Sequence, residues 1–333
     1  MVSLKDIAQK LGISPTTVSL VLNGKEKTVR ISDRLARRIR AVAKQAGYRP
    51  NQVAVSLRTG KSKIIGLLVD TISGSLFATM AAVIEEEMEK EGYRIIYCST
   101  GNEVGKGKDL LQILNQHHVD GYLIIPTEDM QSEIDALLEQ KKPLVLIDSY
   151  FPNTKAPYVL VDNYGGVRQG VRHLIDKGYR KIGFITNDLA LIHMQKRQQA
   201  FIDMLKPYGG KGQKLILNTS FHDSKIQLQR KISRFLQKEK PEAVFFSTNY
   251  LGIEGLAAIK ALGWQIPGDI AVVCFDDHEL FALHSPPITV VRQPAEQMAR
   301  SAVRLLVDQI KRQRHKARRQ IELPAQMIKR ASL

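Results

Sequence analysis

From Lys63 onward the chain alternates short apolar runs with longer amphipathic ones. The short runs are KIIGLLVD, YRIIYCS, GYLIIP, PLVLID, YVLVD, KIGFIT, KLILN, AVFFST and IAVVCF. They are rich in Val, Ile and Leu and mostly apolar on both faces, as strands of a parallel sheet covered on both sides must be. Between them lie stretches with helical spacing, such as LFATMAAVIEEEMEKEG, YGGVRQGVRHLIDKG and LGIEGLAAIKALG. Such a chain folds as repeated βα units with right-handed crossovers, a doubly wound α/β architecture. Roughly 270 residues of it form two lobes more readily than one sheet.

The first sixty residues do not share that rhythm. SLKDIAQKLGI (Ser3 to Ile13) puts Leu4, Ile7, Ala8 and Leu11 at helical spacing, with Ser3 as N-cap, Asp6 three residues on and Gly12 for the turn. A second helix restarts at Ser14 as N-cap, with Pro15 at its first position, where proline's missing N–H costs nothing. Thr16, Thr17 and Ser19 on it are small and hydroxylated, able to reach phosphates and base edges. Two short helices joined by a Gly-containing turn make a helix-turn-helix, though an ordinary helical hairpin shares the pattern. Charge separates the two readings. Residues 1–61 carry thirteen Lys or Arg against Asp6, Glu26 and Asp33, a net of +10 out of +16 for the whole chain. A small module with that surplus reads as a binder of the DNA phosphate backbone. A third helix, starting near Ser32 and running through Leu35, Ile39, Val42 and Ala43 towards Gly47, can close a three-helix core.

Hydrophobic residues make up 44% of the chain, enough for packed cores. Cys98 and Cys274 lie far apart in strand-like runs, which suggests neither a disulfide framework nor a zinc site. No apolar leader and no run of 18 apolar residues is present, so a soluble, cytoplasmic chain without a membrane partner is expected. This argues against the alternative of a periplasmic solute-binding protein, which needs an export signal and no helix-turn-helix. His117, His118 and His193 accompany no nucleophile elbow, P-loop or metal-ligand spacing, and read as surface histidines. GNEVGKGK (Gly101 to Lys108) lacks the Gly-Lys-Ser/Thr ending of a phosphate loop and reads as solvated. No catalytic residue, cofactor or metal is expected.

In doubly wound sheets ligands bind outside the carboxyl ends of the strands, and in a two-lobed protein between the lobes. The polar residues there are Asp70, Asp148, Asp162-Asn163, Thr248-Asn249 and Asp276-Asp277, with Arg197 on the nearby helix KRQQAFIDML. A carboxylate, an amide and a guanidinium converging on one cavity can take a sugar's hydroxyls pairwise. Each alone could equally be a helix N-cap or a turn residue.

LKDIAQKLGISPTTVSLVLNG, followed by ISDRLARRIRAVAKQAGYRPNQVAVSLRTG, resembles the headpiece of the lactose-repressor/galactose-repressor (LacI/GalR) family. The similarity continues through KIIGLLVD, VDGYLIIP, VDNYGGVRQGVRHLIDKGYRKIGFI, IPGDIAVVCFDD and PPITVVRQP. It implies an all-α helix-turn-helix headpiece over residues 1–50, a hinge or linker over 51–61, and a two-lobed sensor of the type I periplasmic-binding-protein kind over 62–333. The N-lobe would take 62–161 and 293–319, the C-lobe 162–292 and 320–333, with crossings near Val161-Asp162, Arg292-Gln293-Pro294 and Gln320. The implied function is a ligand-responsive transcriptional regulator that binds a pseudo-palindromic operator as a homodimer. Its effector would be a sugar or sugar derivative held between the lobes. The end at Leu333 without a leucine-heptad tail favours a dimer over a tetramer.

Residue by residue, the resemblance assigns base contacts to Pro15, Thr16 and Leu20, and phosphate contacts to Ser3, Ser14, Thr17, Ser19, Asn23, Ser32 and Tyr48. Asn51, Ala54 and Leu57 would enter the minor groove from a hinge helix. NQVAVSLR is only about two turns long, however, and a plain linker is the other reading. Effector contacts fall on Phe77, Asp148, Arg197, Phe221, Asn249 and Asp276, with Phe275 either stacking on a ring or packing in the core. The chain departs from the family at Leu20, where many relatives have arginine, and at Asn249-Tyr250, Cys274 and Ser73-Gly74-Ser75-Leu76-Phe77. Operator and effector identity therefore do not carry over. Between Asn23 and Ser32 the loop GKEKTVRI is about three residues longer than usual and reads as a flexible basic turn near a phosphate. KRQRHKARR, Lys311 to Arg319, reads as a solvated loop.

Overall fold

The computed structural model describes residues 2–48, 55–56, 59–72, 74–103, 105–208, 215–311 and 320–333. Asn51, Ala54 and Leu57 lie outside them, as does the basic run beyond Lys311. The chain forms two compact units, Met1–Ser62 and Lys63–Leu333.

The first unit holds three helices, α1 (Leu4–Leu11), α2 (Pro15–Leu22) and α3 (Asp33–Gln45). Ser3, Ser14 and Ser32 cap them, each side-chain oxygen accepting from an N–H three residues on. At α1 the Asp6 carboxylate returns the favour to the Ser3 N–H at 2.8 Å, completing a capping box. Gly12 takes a left-handed conformation (φ 66), which L side chains rarely adopt, and so turns the chain from α1 into α2. Ile7, Ala8, Val18, Val21, Ala36, Ile39 and Ala43 close the core, and Tyr48 packs against it. The loop after α2 is more anchored than its composition suggests. Arg40 on α3 pairs with Glu26, Ile31 N–H donates to Glu26 O at 2.9 Å and Lys25 N–H to Leu20 O at 2.9 Å.

The second unit contains two six-stranded sheets. The first is built from β1 (Ile64–Val69), β2 (Arg94–Ser99), β3 (Gly121–Ile124), β4 (Leu144–Ile147), β5 (Tyr158–Val161) and β11 (Gln320–Leu323), in the order β11-β5-β4-β3-β1-β2. The second has β6 (Ile182–Asn187), β7 (Ile216–Thr219), β8 (Ala243–Phe246), β9 (Ala271–Phe275), β10 (Thr289–Arg292) and β12 (Gln326–Ile328), in the order β12-β10-β9-β8-β6-β7. All neighbours are parallel except β10 and β12. Successive residues feed opposite faces: Leu67 joins one buried cluster and Leu68 another, and Phe245 and Phe246 divide likewise. Burying each such side chain contributes roughly 1.5–3 kcal/mol.

The helices between strands are α4 (Ser75–Lys90), α5 (Lys106–Gln116) and α6 (Gln131–Glu139) in the first lobe. In the second come α7 (Asn163–Asp176), α8 (Ile192–Leu205), α9 (Lys225–Glu239), α10 (Asn249–Ala261) and α11 (Glu279–Leu283). After β10 the chain crosses back, and α12 (Ala295–Ile310) packs on β3, β4 and β5. The last crossing corrects the expected boundary at Gln320. Gln320 still belongs to the first sheet, because β5 needs a partner on its open edge: Gln320 pairs with Tyr158 and Asp162 N–H donates to Leu323 O at 2.7 Å. The chain changes lobe only between Leu323 and Gln326. GNEVGKGK is likewise only partly loop, since Lys106 to Lys108 already belong to α5 and Gly107 is buried.

Strand order reverses beside β1 in the first sheet, between β1 and β3, and beside β6 in the second, between β6 and β8. Helices splay apart at such switch points and leave a crevice at the strands' carboxyl ends. α7 lies close on the second sheet, because a Cβ on Gly166 would stand 2.8 Å from the Phe275 ring and one on Gly170 2.5 Å from Phe245. That close approach fixes Asn163, at the start of α7, beside the crevice.

Candidate ligand cavity and nucleic-acid interface

A cavity of about 400 Å³ opens at both switch points, lined by both lobes. Its floor is a buried charge cluster. Arg197 on α8 is 2% exposed, a position a guanidinium tolerates only when its donors are matched. Its Nε donates to Asn163 Oδ1 at 2.8 Å, and Nη1 to Ser247 O at 2.7 Å and Asp276 Oδ2 at 3.4 Å. The guanidinium lies 3.8 Å from the Phe275 ring centroid. Asp276 also accepts from Gln293 Nε2 at 2.7 Å. Burial pushes its carboxyl above the ordinary carboxylate range, and Arg197 and Gln293 pull against it.

Asp148 and Asp276 follow β4 and β9 and both take positive φ, 66 and 70, a conformation that short polar side chains tolerate. Asp148 is buried with Oδ1 unpartnered, and burial raises its carboxyl while Arg197 and Gln293 lower it. Asp70, after β1, is pushed up to about 7, by burial first and further by the charges of Asp148 and Asp276; its bond from the Thr71 N–H at 2.5 Å acts in the opposite direction.

Phe77, Asp148, Arg197, Phe221, Asn249 and Asp276 all line this one cavity. Asn249 Nδ2 reaches from the second lobe to Ser75 Oγ in the first, at 3.4 Å. Phe221 sits edge-on to Tyr250, with centroids 6.0 Å apart. Other positions resolve differently. Phe275 is a core residue beneath Arg197, Asp162 caps α7, and Asp277 is clamped by Arg292 and Arg330 outside the cavity. His193 is a correction: it is no surface histidine but lines the cavity, its Nδ1 buried without a partner and its pKa pushed down to about 3, chiefly by burial. His117 and His118 are exposed. Sequence reasoning passed over Asn187, Tyr250 and Gln293 as site residues. Asn187 closes β6, Asn187 Nδ2 bonds Tyr250 Oη at 2.9 Å, and Gln293 stands where the chain changes lobe.

On the first unit, Pro15 and Thr16 are exposed, and Thr17, Ser19 and Leu20 half-buried along α2. Ser3, Ser14, Asn23 and Ser32 are exposed and Tyr48 half-buried. Ser14 Oγ lies 2.8 Å from Thr17 Oγ1, and Asn23 Nδ2 bonds Ser19 O at 2.6 Å. These local bonds hold the polar side chains in place along one stretch of a strongly basic unit.

Residues 3–51 match the bacterial regulatory proteins of the lacI family, and residues 171–333 the periplasmic binding protein-like domain. Across its whole length the chain is 30% identical to the transcriptional repressor PurR of Aliivibrio salmonicida, covering 99% of that protein. The chain belongs to the lacI family of bacterial regulatory proteins. This lacI-family member is also 31% identical to the ribose operon repressor of Haemophilus influenzae, over 93% of the chain and 92% of that protein. Its fold matches the lac repressor dimer bound to operator and the anti-inducer ONPF, with a TM-score of 0.84 at 22% identity over 99% of the chain and 98% of that one. The transcriptional regulator CelR in complex with cellobiose aligns over the full length of both, at 25% identity and a TM-score of 0.73. A lacI-family chain is a DNA-binding transcriptional regulator, and the two curated relatives named above are repressors rather than enzymes. Among the described residues no helix is long and apolar enough to cross a membrane.

Proposed function

We propose that this regulator is a cytoplasmic repressor that binds a pseudo-palindromic operator as a homodimer. It releases or engages that operator in response to a polyhydroxylated effector, a sugar or sugar derivative, held between its lobes. One observation carries the reading: the buried Arg197–Asp276–Asn163–Gln293 cluster at the floor of a cavity built from both switch points. The Arg197 guanidinium, the Asn249 and Gln293 amides and the carboxylates in the lining offer the paired donors and acceptors that vicinal hydroxyls need. Phe77 and Phe221 supply apolar faces for a ring. The similar ribose operon repressor and the CelR–cellobiose complex fit this class. A solute-binding protein without a regulatory role is not compatible with the lacI-family headpiece. Calorimetry of the full chain against a panel of sugars and sugar derivatives tests the reading, and failure of every one to bind sinks it.

At the other unit, Pro15, Thr16 and Leu20 face the bases, and Ser3, Ser14, Thr17, Ser19, Asn23, Ser32 and Tyr48 the phosphates. The hinge positions Asn51, Ala54 and Leu57 serve the minor groove. Leu20 cannot hydrogen-bond a guanine and favours the methyl group of a thymine. Leu20→Arg is expected to shift the preferred operator towards guanine at the contacted position, by about 1–3 kcal/mol of discrimination, with non-specific affinity held or raised. Selection from random DNA measures this, and identical consensus sequences for both proteins would refute the contact.

A further inference from the structure

The first-lobe wall of the cavity is acidic, and the charge set against it comes from Arg197. Arg197 donates through Nε to Asn163 and through Nη1 to Ser247 and Asp276. Of the other basic groups lining the cavity, Lys225 is exposed and His193 is kept uncharged by burial. Two of the lining acids are matched: Asp223 holds Lys231 Nζ at 2.6 Å and 2.8 Å, and Glu254 accepts from Gln229 Nε2 at 2.6 Å. Asp70 and Asp148 remain, at the ends of β1 and β4 on either side of β3, and neither forms an ion pair among the described residues. Asp148 is only 5% exposed with Oδ1 unpartnered, and Gln293, 4% exposed, leaves Oε1 unpartnered. Both unmatched atoms are acceptors. A carboxylate shielded from water without an ion-pair partner stays protonated or awaits a cation or other donor, and the upward push on the half-buried Asp70 goes the same way.

Resting on the effector site proposed above, we propose that the ligand carries a protonated amine on a polyhydroxylated frame, an amino sugar or amino polyol, with its ammonium group at the Asp70–Asp148 wall. An ammonium has three donors and no acceptor, and so matches a wall of acceptors. It also favours the charged form of both carboxylates. A sugar acid or sugar phosphate brings a further negative charge beside Asp70 and Asp148. The aromatic rings of Phe77 and Tyr250, also in the lining, suit a cation equally well.

The test is calorimetry of the full-length protein with glucosamine, galactosamine and mannosamine, each beside its parent hexose, its N-acetyl form and the matching hexuronate. The inference expects one amine to bind about tenfold or more tighter than its parent and its N-acetyl form, since a charge-assisted bond is about twice as strong as a neutral one. In Asp148→Asn, whose replacement also tolerates positive φ, that ratio should collapse towards unity. Asp70→Asn should act the same way and serves as the second variant if the first is poorly folded. A parent hexose or hexuronate binding as tightly as the amine overturns the inference while leaving the sugar-responsive reading intact. So does a ratio unchanged in both variants. No binding by any member removes both.

Discussion

Arg197→Met is expected to destabilise the second unit by about 3–5 kcal/mol, because it leaves Asp276 buried without its counter-charge. Methionine keeps most of the volume, so the loss reports the electrostatics rather than a cavity. For a domain of this size the melting temperature should fall on the order of 10 °C. Asn163 and the Ser247 carbonyl lose their donor at the same time, and a buried acceptor left unmatched costs a further 1–3 kcal/mol or so. The double variant Arg197→Met with Asp276→Asn should regain part of the loss, since the second change removes the stranded charge; the difference between single and double variants isolates the pair. The same cluster is the proposed floor of the effector site, so both variants should lose effector binding by calorimetry even where stability recovers. A single variant that melts within a degree or so of the parent protein would show that Asp276 is not held by Arg197 in solution.

How far the sequence speaks depends on whether a feature is local. Caps are local, and Ser3, Ser14 and Ser32 were legible because an N-cap needs only its own next three residues. The nine apolar runs were legible because most are apolar on both faces, and a strand covered on both sides has no polar face to blur it. β10, β11 and β12 were not: the largely buried TVVR of β10 was passed over, while QIEL and QMI are short, lie at sheet edges and bury none of their residues fully, so they carry a weak apolar signal. The misplaced crossing at Gln320 follows from the same cause.

The cavity divides along similar lines. Its residues at strand ends, Asp70, Asp148, Asn249 and Asp276, could be placed by rule, because the carboxyl ends of such strands face the ligand whatever the loops contain. Arg197 has no such rule. It came from the family resemblance, and its partners Asn163, Ser247 and Asp276 come from three separate segments that only the fold brings together. His193 was misread for that reason: whether a histidine is charged at a surface or neutral against a cavity depends on what distant chain covers it. The raised carboxyl of Asp70 is equally invisible in sequence, since burial and the charges of Asp148 and Asp276 cause it. Glu26 shows the opposite error. In a loop read as flexible and basic it is the acid that ties the loop to α3 through Arg40.

Ile39→Ala is expected to abolish operator binding while leaving the second unit folded. Ile39 is fully buried among seven core residues of the first unit, three of which are alanines. A unit of 62 residues buries only about 60% of the surface its unfolded chain exposes, so its margin is small. Truncating a buried isoleucine to alanine costs about 2–5 kcal/mol, comparable with that whole margin. α3 would then no longer hold α1 and α2 together, and the exposed residues of α2 would lose their fixed arrangement. The basic charge survives unfolding, so weak, salt-sensitive association with any DNA should persist while specific binding disappears. Ile39→Val, which removes one methylene for about 0.5–1.5 kcal/mol, should keep specific binding at reduced affinity. Fluorescence anisotropy with operator and scrambled duplexes, beside a calorimetric scan in which the larger unit's transition stays in place, separates the outcomes. Full specific affinity in Ile39→Ala would mean that the three helices owe their arrangement to something other than this core.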